Sequence, residues 1–203
     1  MVSYKKLNIA ILDYGFGNTG SLKNFVTKIG FFPEITSSKA GILNSDLLII
    51  PGVGSAVSFF NSSNRKICQL IKLRAKKKLP IIGICLGAQV LFEYLEESNK
   101  SGLSILKGKV RKLNYFNNNW RTVDFKKKNN LFFKKKNNSF YFNHEYYLDP
   151  KIKYETYDIK GETIPAVLIH KNIICFQFHP EKSQNTGLEI FKRTIDYFYE
   201  KKI

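Results

Sequence analysis

Short apolar runs separated by glycine-bearing turns set the pattern of the N-terminal half. Residues 8–12, 32–36, 46–50 and 79–82 are too short for helices and rich in branched side chains, so each predicts a buried strand. After the first, Leu22, Phe25, Val26 and Ile29 recur at helical spacing, with Ser21 as N-cap and Gly30 as stop. A short helical piece follows Ser37-Ser38-Lys39, and longer helices are predicted over 57–73 and 88–95. Strand and helix thus alternate four times, which predicts an α/β fold with a mostly parallel central sheet and helices on both faces. Ligands of such sheets bind beyond the carboxyl ends of the strands, and the glycine-bearing turns at 13–21, 51–55 and 83–87 all fall there.

Beyond Leu103 the pattern changes. Residues 110–115, 121–125, 139–142, 154–157, 166–169 and 173–178 are short, aromatic and β-branched, with Asn and Gly turns between them, and predict an added antiparallel β region. The run 114–139 is the poorest in hydrophobic pattern and is expected to be the most mobile. A last helix over 186–200 places Leu188, Phe191, Ile195 and Phe198 on one stripe.

The chain has 203 residues, 43% of them hydrophobic, which suits one α/β domain spanning 1–203. It holds no apolar run of about 18 residues, so no membrane span is expected. The basic start, Met1-Val2-Ser3-Tyr4-Lys5-Lys6, leads into a strand and not into a signal-peptide core, which points to the cytoplasm. Cys68, Cys85 and Cys175 are too few and too unevenly spaced for a disulfide framework, and reduced thiols are expected. A formal net charge of +17 raises nucleic-acid binding. The lysines, however, form tracts with asparagine (126–130 and 134–138) and no nucleic-acid module accompanies them, so a decorated solvated surface is the better reading.

The chemistry centres on Gly83-Ile84-Cys85-Leu86-Gly87. A thiol in the turn between strand 79–82 and the helix after it has the layout of a nucleophile elbow with sulfur in place of oxygen. The helix start favours thiolate over thiol, and the Leu86 N–H points where an oxyanion would form. Pro51-Gly52-Val53-Gly54-Ser55 is a second strand-end turn whose backbone amides suit the other half of an oxyanion hole. His179-Pro180-Glu181 follows the last strand, where an imidazole can take the proton from Cys85 and a carboxylate can orient that imidazole. Gly15, Gly17 and Gly20 match a dinucleotide fingerprint in spacing, but the acid it requires near the end of the next strand is not clearly placed.

Gly83-Ile84-Cys85-Leu86-Gly87-Ala88-Gln89 together with Phe176-Gln177-Phe178-His179-Pro180-Glu181 resembles the class I (triad) glutamine amidotransferases. Asp13-Tyr14-Gly15-Phe16-Gly17-Asn18, Pro51-Gly52-Val53-Gly54 and Glu181-Lys182-Ser183-Gln184 are similar to the glutaminase subunits of imidazole glycerol phosphate synthase. The resemblance implies a flavodoxin-like fold. It also implies that Cys85 attacks the side-chain amide of glutamine, His179 shuttles the proton to ammonia and Glu181 holds His179. Leu86 N–H and the Gly52-Val53-Gly54 backbone would stabilise the oxyanion, the latter after a peptide flip triggered by the partner, and Gln89 and Tyr146 would help hold glutamine. It further implies a heterodimer with a (β/α)₈ cyclase subunit that receives the ammonia, with no metal, organic cofactor, nucleic acid or membrane involved.

Two stretches depart from the subfamily. Leu113 to Arg121 keeps Trp120 but not its flanking Pro-His-x-Gly pattern, with Asn117, Asn118 and Asn119 before the Trp, and His144-Glu145-Tyr146-Tyr147 carries Glu145 where a serine is usual. These departures leave open a paralogue that supplies ammonia to a related synthase making amidated or amidino surface sugars. A partner-independent cysteine hydrolase of related fold is a further alternative, but such proteins place His directly after the elbow cysteine, where this chain has Leu86. A basic binding module with a degenerate site is the last.

Overall fold

The computed structural model describes residues 7–125 and 138–200. Most of the two lysine–asparagine tracts, and with them the middle of the run expected to be mobile, lies outside the described residues.

The central sheet has seven strands. Four of them, β1 (Ile9–Leu12), β2 (Glu34–Thr36), β3 (Leu47–Ile50) and β4 (Ile81–Ile84), come from the first half of the chain. The other three, β9 (Glu155–Asp158), β10 (Pro165–His170) and β11 (Ile173–Phe176), come from the second half. Their order is β2-β1-β3-β4-β11-β10-β9, parallel from β2 through β11 and antiparallel thereafter. Strand β11 therefore corrects one expectation: it pairs parallel with β4 along Ile173–Phe176 and antiparallel only with β10.

Residues on β1 are buried on both faces, Ile9 and Ile11 in one apolar cluster and Ala10 and Leu12 in the other, which is why the strand reads as an unbroken apolar run. Helices α1 (Thr19–Lys28) and α6 (Gln184–Glu200) contribute Leu22, Phe25, Ile190 and Phe191 to the first cluster. Helices α2 (Lys39–Asn44) and α4 (Arg65–Lys76) contribute Ile42, Ile67, Leu70 and Ile71 to the second. Arg74 of α4 is fully buried and donates to the carbonyls of Ile42, Ser45 and Pro80, tying the helical layer to the strand ends.

Three helical expectations change. The helix predicted over 57–73 splits into α3 (Ala56–Phe59), a 3₁₀ turn (Ser62–Asn64) and α4. The Asn61 side chain accepts from Asn64 N, and the buried Asn64 amide donates to the carbonyls of Tyr14 and Phe59, so hydrogen bonding outcompetes helix continuity there. The helix predicted over 88–95 is one turn, α5 (Leu86–Gln89), followed by β5 (Phe92–Leu95). The apolar run fits either period. Pairing with β6 (Lys100–Ser101) and β7 (Leu106–Thr122), with Val90 O and Leu91 O accepting from Leu103 N and Ile105 N, decides for the strand. Finally, the N-cap position of α1 falls on Asn18 and not on Ser21, with no capping bond from the Asn18 side chain, while Gly30 (φ +100) follows the helix end as expected.

A second sheet, β6-β5-β7-β8, flanks the first, with β8 spanning Ser139–Pro150. Its β7-β8 pairing has an irregularity: Lys112 faces Tyr146 and Asn117 faces His144, so five steps on β7 match two on β8. That bulge exposes Phe116 and buries Asn117. Among the described residues no helix is long and apolar enough to cross a membrane.

Candidate active site

The ends of β3, β4 and β11 converge on Cys85, which follows β4 directly and holds φ +46, ψ −109. A non-glycine residue pays for such a conformation in strain, and that strain is the signature of a nucleophile elbow. The flanking glycines serve close approach and not a positive φ. A Cβ on Gly87 would lie 2.1 Å from Ile50 O, one on Gly83 2.7 Å from Gly87 O, and one on Gly52 1.8 Å from Ile84 O. The 51–54 turn and the elbow are thus in mutual backbone contact. Because α5 is a single turn, its dipole adds less than a long helix would, and its free N–H groups act locally.

His179 follows β11 and two further residues, with its amide donating to Tyr141 O. Its Nδ1 is 2.8 Å from Glu181 Oε1, and both side chains are almost fully buried. Burial opposes the charged imidazole. The charge and hydrogen bond of the Cys85 sulfur, then those of Glu181, overcome it and raise the His179 pKa to about 10. Burial likewise works against the Glu181 carboxylate but loses to His179, so its pKa is lowered. The structure thus brings Cys85, His179 and Glu181 together, the sulfur favouring the charged imidazole and the carboxylate hydrogen-bonded to its Nδ1, an arrangement that suits a nucleophile, a base and an orienting acid.

A cavity of about 340 Å³ opens over Cys85. Gly52, Val53, Gly54, Leu86, Gln89 and Tyr146, all singled out in the sequence, line it together with Cys85 and His179. Gln89 and Tyr146 meet directly: Gln89 Nε2 donates to Tyr146 O at 2.9 Å. The same carbonyl lies 2.8 Å from His144 Nδ1, and His144 Nε2 lies 3.0 Å from Asn117 Nδ2. These partners fix the tautomer, with the proton on Nδ1. Glu145 is exposed and reaches the cavity lining.

Several residues here had no role in the sequence reading. Glu97 lines the cavity and accepts from Ala56 N at 2.9 Å. Gln177 is fully buried, with Nε2 3.8 Å from Cys85 Sγ, and Asn143 O lies 3.8 Å from the same sulfur. Asn18 Nδ2 donates to Glu181 Oε1 at 2.7 Å, and the Tyr14 hydroxyl donates to Val53 O at 3.0 Å. Asn18, Tyr14 and Gln177 stand inside recognisable motifs, but nothing local in the sequence shows what they touch. Among the described residues no group of three or more His, Cys, Asp and Glu is placed to hold a metal ion.

The model of the class-I glutamine amidotransferase family matches residues 10–196. The chain is 34% identical over 207 residues to the imidazole glycerol phosphate synthase subunit HisH of Nostoc sp., covering 95% of this chain and 97% of that one. It is 38% identical to the HisH subunit of Caldanaerobacter subterraneus (91% and 95% covered) and 39% identical to HisH 2 of Methanococcus maripaludis (92% and 98% covered). In structure it is similar to a chain of PurLQS from Thermotoga maritima, with a TM-score of 0.76 at 19% identity and 95% and 99% of the two chains covered. A glutamine amidotransferase from the same organism superposes with a TM-score of 0.65 at 17% identity, covering 98% and 87%. A family match over nearly the whole chain, on a fold whose strand ends gather Cys85, His179 and Glu181, establishes that this chain belongs to the class-I glutamine amidotransferases.

Proposed function

We propose that this chain is the glutaminase subunit of an imidazole glycerol phosphate synthase, releasing ammonia from glutamine for a (β/α)₈ cyclase subunit in histidine biosynthesis. The observation that supports it most is the elbow cysteine sharing one cavity with a histidine that is itself held by a buried carboxylate. Similarity to HisH subunits along almost the whole chain supports the choice of synthase.

The Cys85 sulfur adds to the side-chain amide carbon of glutamine, and the carbonyl π electrons move to oxygen. Leu86 N–H and the Gly52-Val53-Gly54 backbone face that oxyanion, the latter after a peptide flip driven by the partner. Imidazolium His179 gives its proton to the departing nitrogen, the C–N bond breaks, and ammonia leaves behind a γ-glutamyl thioester. Water then adds to the thioester with His179 as base, the C–S bond breaks, and glutamate is released with Cys85 restored. Glu181 keeps the imidazole in the correct tautomer throughout. Glu97 and Glu145 offer carboxylates to the α-ammonium of glutamine, and Lys182, also on the cavity wall, offers a cation to its α-carboxylate.

Glutamate release by the purified chain with its cyclase subunit tests the reading. Cys85→Ala should abolish release, and activity persisting in that variant overturns it. Glu145 at the cavity and the Asn117-Asn118-Asn119-Trp120 stretch favour one second reading, a paralogue feeding a surface-sugar synthase. Stimulation by that synthase and not by the histidine-pathway cyclase selects it.

A further inference from the structure

The loop at 13–18, which joins β1 to α1, reaches both halves of the site. At one end Tyr14 is buried, its ring edge-on to Phe59, its carbonyl accepting from Asn64 and its hydroxyl donating to Val53 O in the 51–54 turn. Gly15 (φ +85) and Gly17 (φ +111) turn the chain sharply, and a Cβ on Gly17 would stand 3.3 Å from the Tyr14 hydroxyl oxygen. At the other end Asn18 occupies the N-cap of α1, where an Asn side chain normally accepts from an amide of the first turn. Here it makes no such bond. Its backbone carbonyl accepts from Leu22 N, and its side chain turns away to Glu181, 163 positions along the chain.

We infer that Asn18 is a positioning residue for glutamine hydrolysis: its side-chain amide donates to the same Glu181 oxygen that faces His179, and so fixes the carboxylate against which the imidazole is aligned. This rests on the reading of Cys85, His179 and Glu181 as the glutaminase triad. A carboxylate only accepts, so the NH₂ of Asn18 must face it, and 2.7 Å is the separation of a charge-assisted bond. Glu181 Oε2 is buried and bonds to no other described side chain. Beside its own backbone N–H, the Glu181 carboxylate without Asn18 would meet only His179, a contact that sets a distance but holds the carboxylate plane loosely. The second contact on Oε1 removes that freedom, and the clamped loop delivers the Asn18 amide already in place.

Asn18→Asp and Asn18→Ala separate positioning from helix capping. Asp is as good an N-cap as Asn and has the same shape, but it replaces the donor with a second carboxylate facing Glu181. Positioning predicts that kcat of the complex falls about 10-fold to 100-fold in Asn18→Ala and further in Asn18→Asp, with KM for glutamine within about twofold, because Asn18 does not line the cavity. The rate at which iodoacetamide labels the Cys85 peptide, followed by mass spectrometry on the isolated chain, should fall in the same order. The thermal midpoint of Asn18→Asp should fall below that of Asn18→Ala, because its carboxylate stands against the buried Glu181 carboxylate, whereas capping alone predicts the opposite order. Capping alone predicts the reverse order, Asp at or above Ala in both readouts, and that result overturns the inference. If the wild-type complex releases no glutamate, the glutaminase reading fails while the labelling order still decides the role of Asn18.

Discussion

His144 shows how far one buried residue ties the site to pH. Burial lowers its pKa to about 4; the Tyr146 carbonyl resists that shift, and the charge on His179 adds to it. In the unfolded chain it takes up a proton near pH 6.5, so the folded state gains from a neutral His144 in full above that value. The gain drains away as pH falls from about 6.5 toward 4 and amounts to roughly 3 kcal/mol. His179 has the opposite sign: its raised pKa stabilises the fold below about 6.5, a contribution lost as pH climbs through about 10. Urea unfolding at pH 7 and pH 4.5 should show a lower midpoint in acid, and His144→Gln should shrink the difference. An equal acid loss in the variant removes His144 from the account. The sequence exposes Cys85 and His179 because each stands in a contiguous motif at a strand end, but it gives His144 only a place beside Glu145 and Tyr146. The roles of Asn18, Glu97 and Gln177 depend on partners 163, 41 and 92 positions away, and no local spacing encodes them.

At the scale of elements, the site depends on how closely β3 and β4 end against each other. The atoms that a Cβ on Gly52 would meet are the Ile84 carbonyl at 1.8 Å and Cys85 Cβ at 2.9 Å, neither of which is the far end of a flexible side chain. Gly52→Ala therefore has to part the two strand ends. We expect a loss of about 3 kcal/mol in stability and no measurable glutaminase activity. Gly20, inside α1 with nothing within 4 Å of its added Cβ, is the control: Gly20→Ala should gain about 0.5–1 kcal/mol. Thermal melts of the two variants check both signs, and a Gly52→Ala chain as stable as wild type contradicts the interlock. The parallel strands were legible because burial on both faces leaves only apolar residues, as at Leu47–Ile50. The helix expected over 88–95 was not, because an apolar run gives no period and long-range pairing made its second half strand. Nor was the length of β7, whose stretch 114–119 lacks apolar alternation where the bulge interrupts the ladder.

The whole molecule presents apolar surface where its cavity opens. Phe116 (56% exposed) and Val53 (40%) line the cavity, and Phe16 (49%) lies beside Gly54 in the same turn as Val53. Lys182, also on the cavity wall, sits 5.7 Å over the Tyr141 ring, and Trp120 packs edge-on against the other partner of that pair, Tyr141, while remaining 45% exposed. On the proposed pairing with a synthase subunit, these exposed aromatics around the cavity are the surface expected to be covered, which would also keep released ammonia from bulk water. Trp120 is the single tryptophan of the chain, so its emission reports this face alone. Titration with a tryptophan-free (β/α)₈ subunit should shift that emission to shorter wavelength at saturation. Phe116→Ser should raise Kd about tenfold or more, because it removes an exposed aromatic anchor and leaves the core untouched. With a net charge of +17, association should also slow markedly between 50 and 500 mM salt if the partner presents an acidic rim, a steering effect distinct from the aromatic contact. Unchanged emission together with an unchanged Kd in Phe116→Ser would place the docking face elsewhere, and the ammonia path with it.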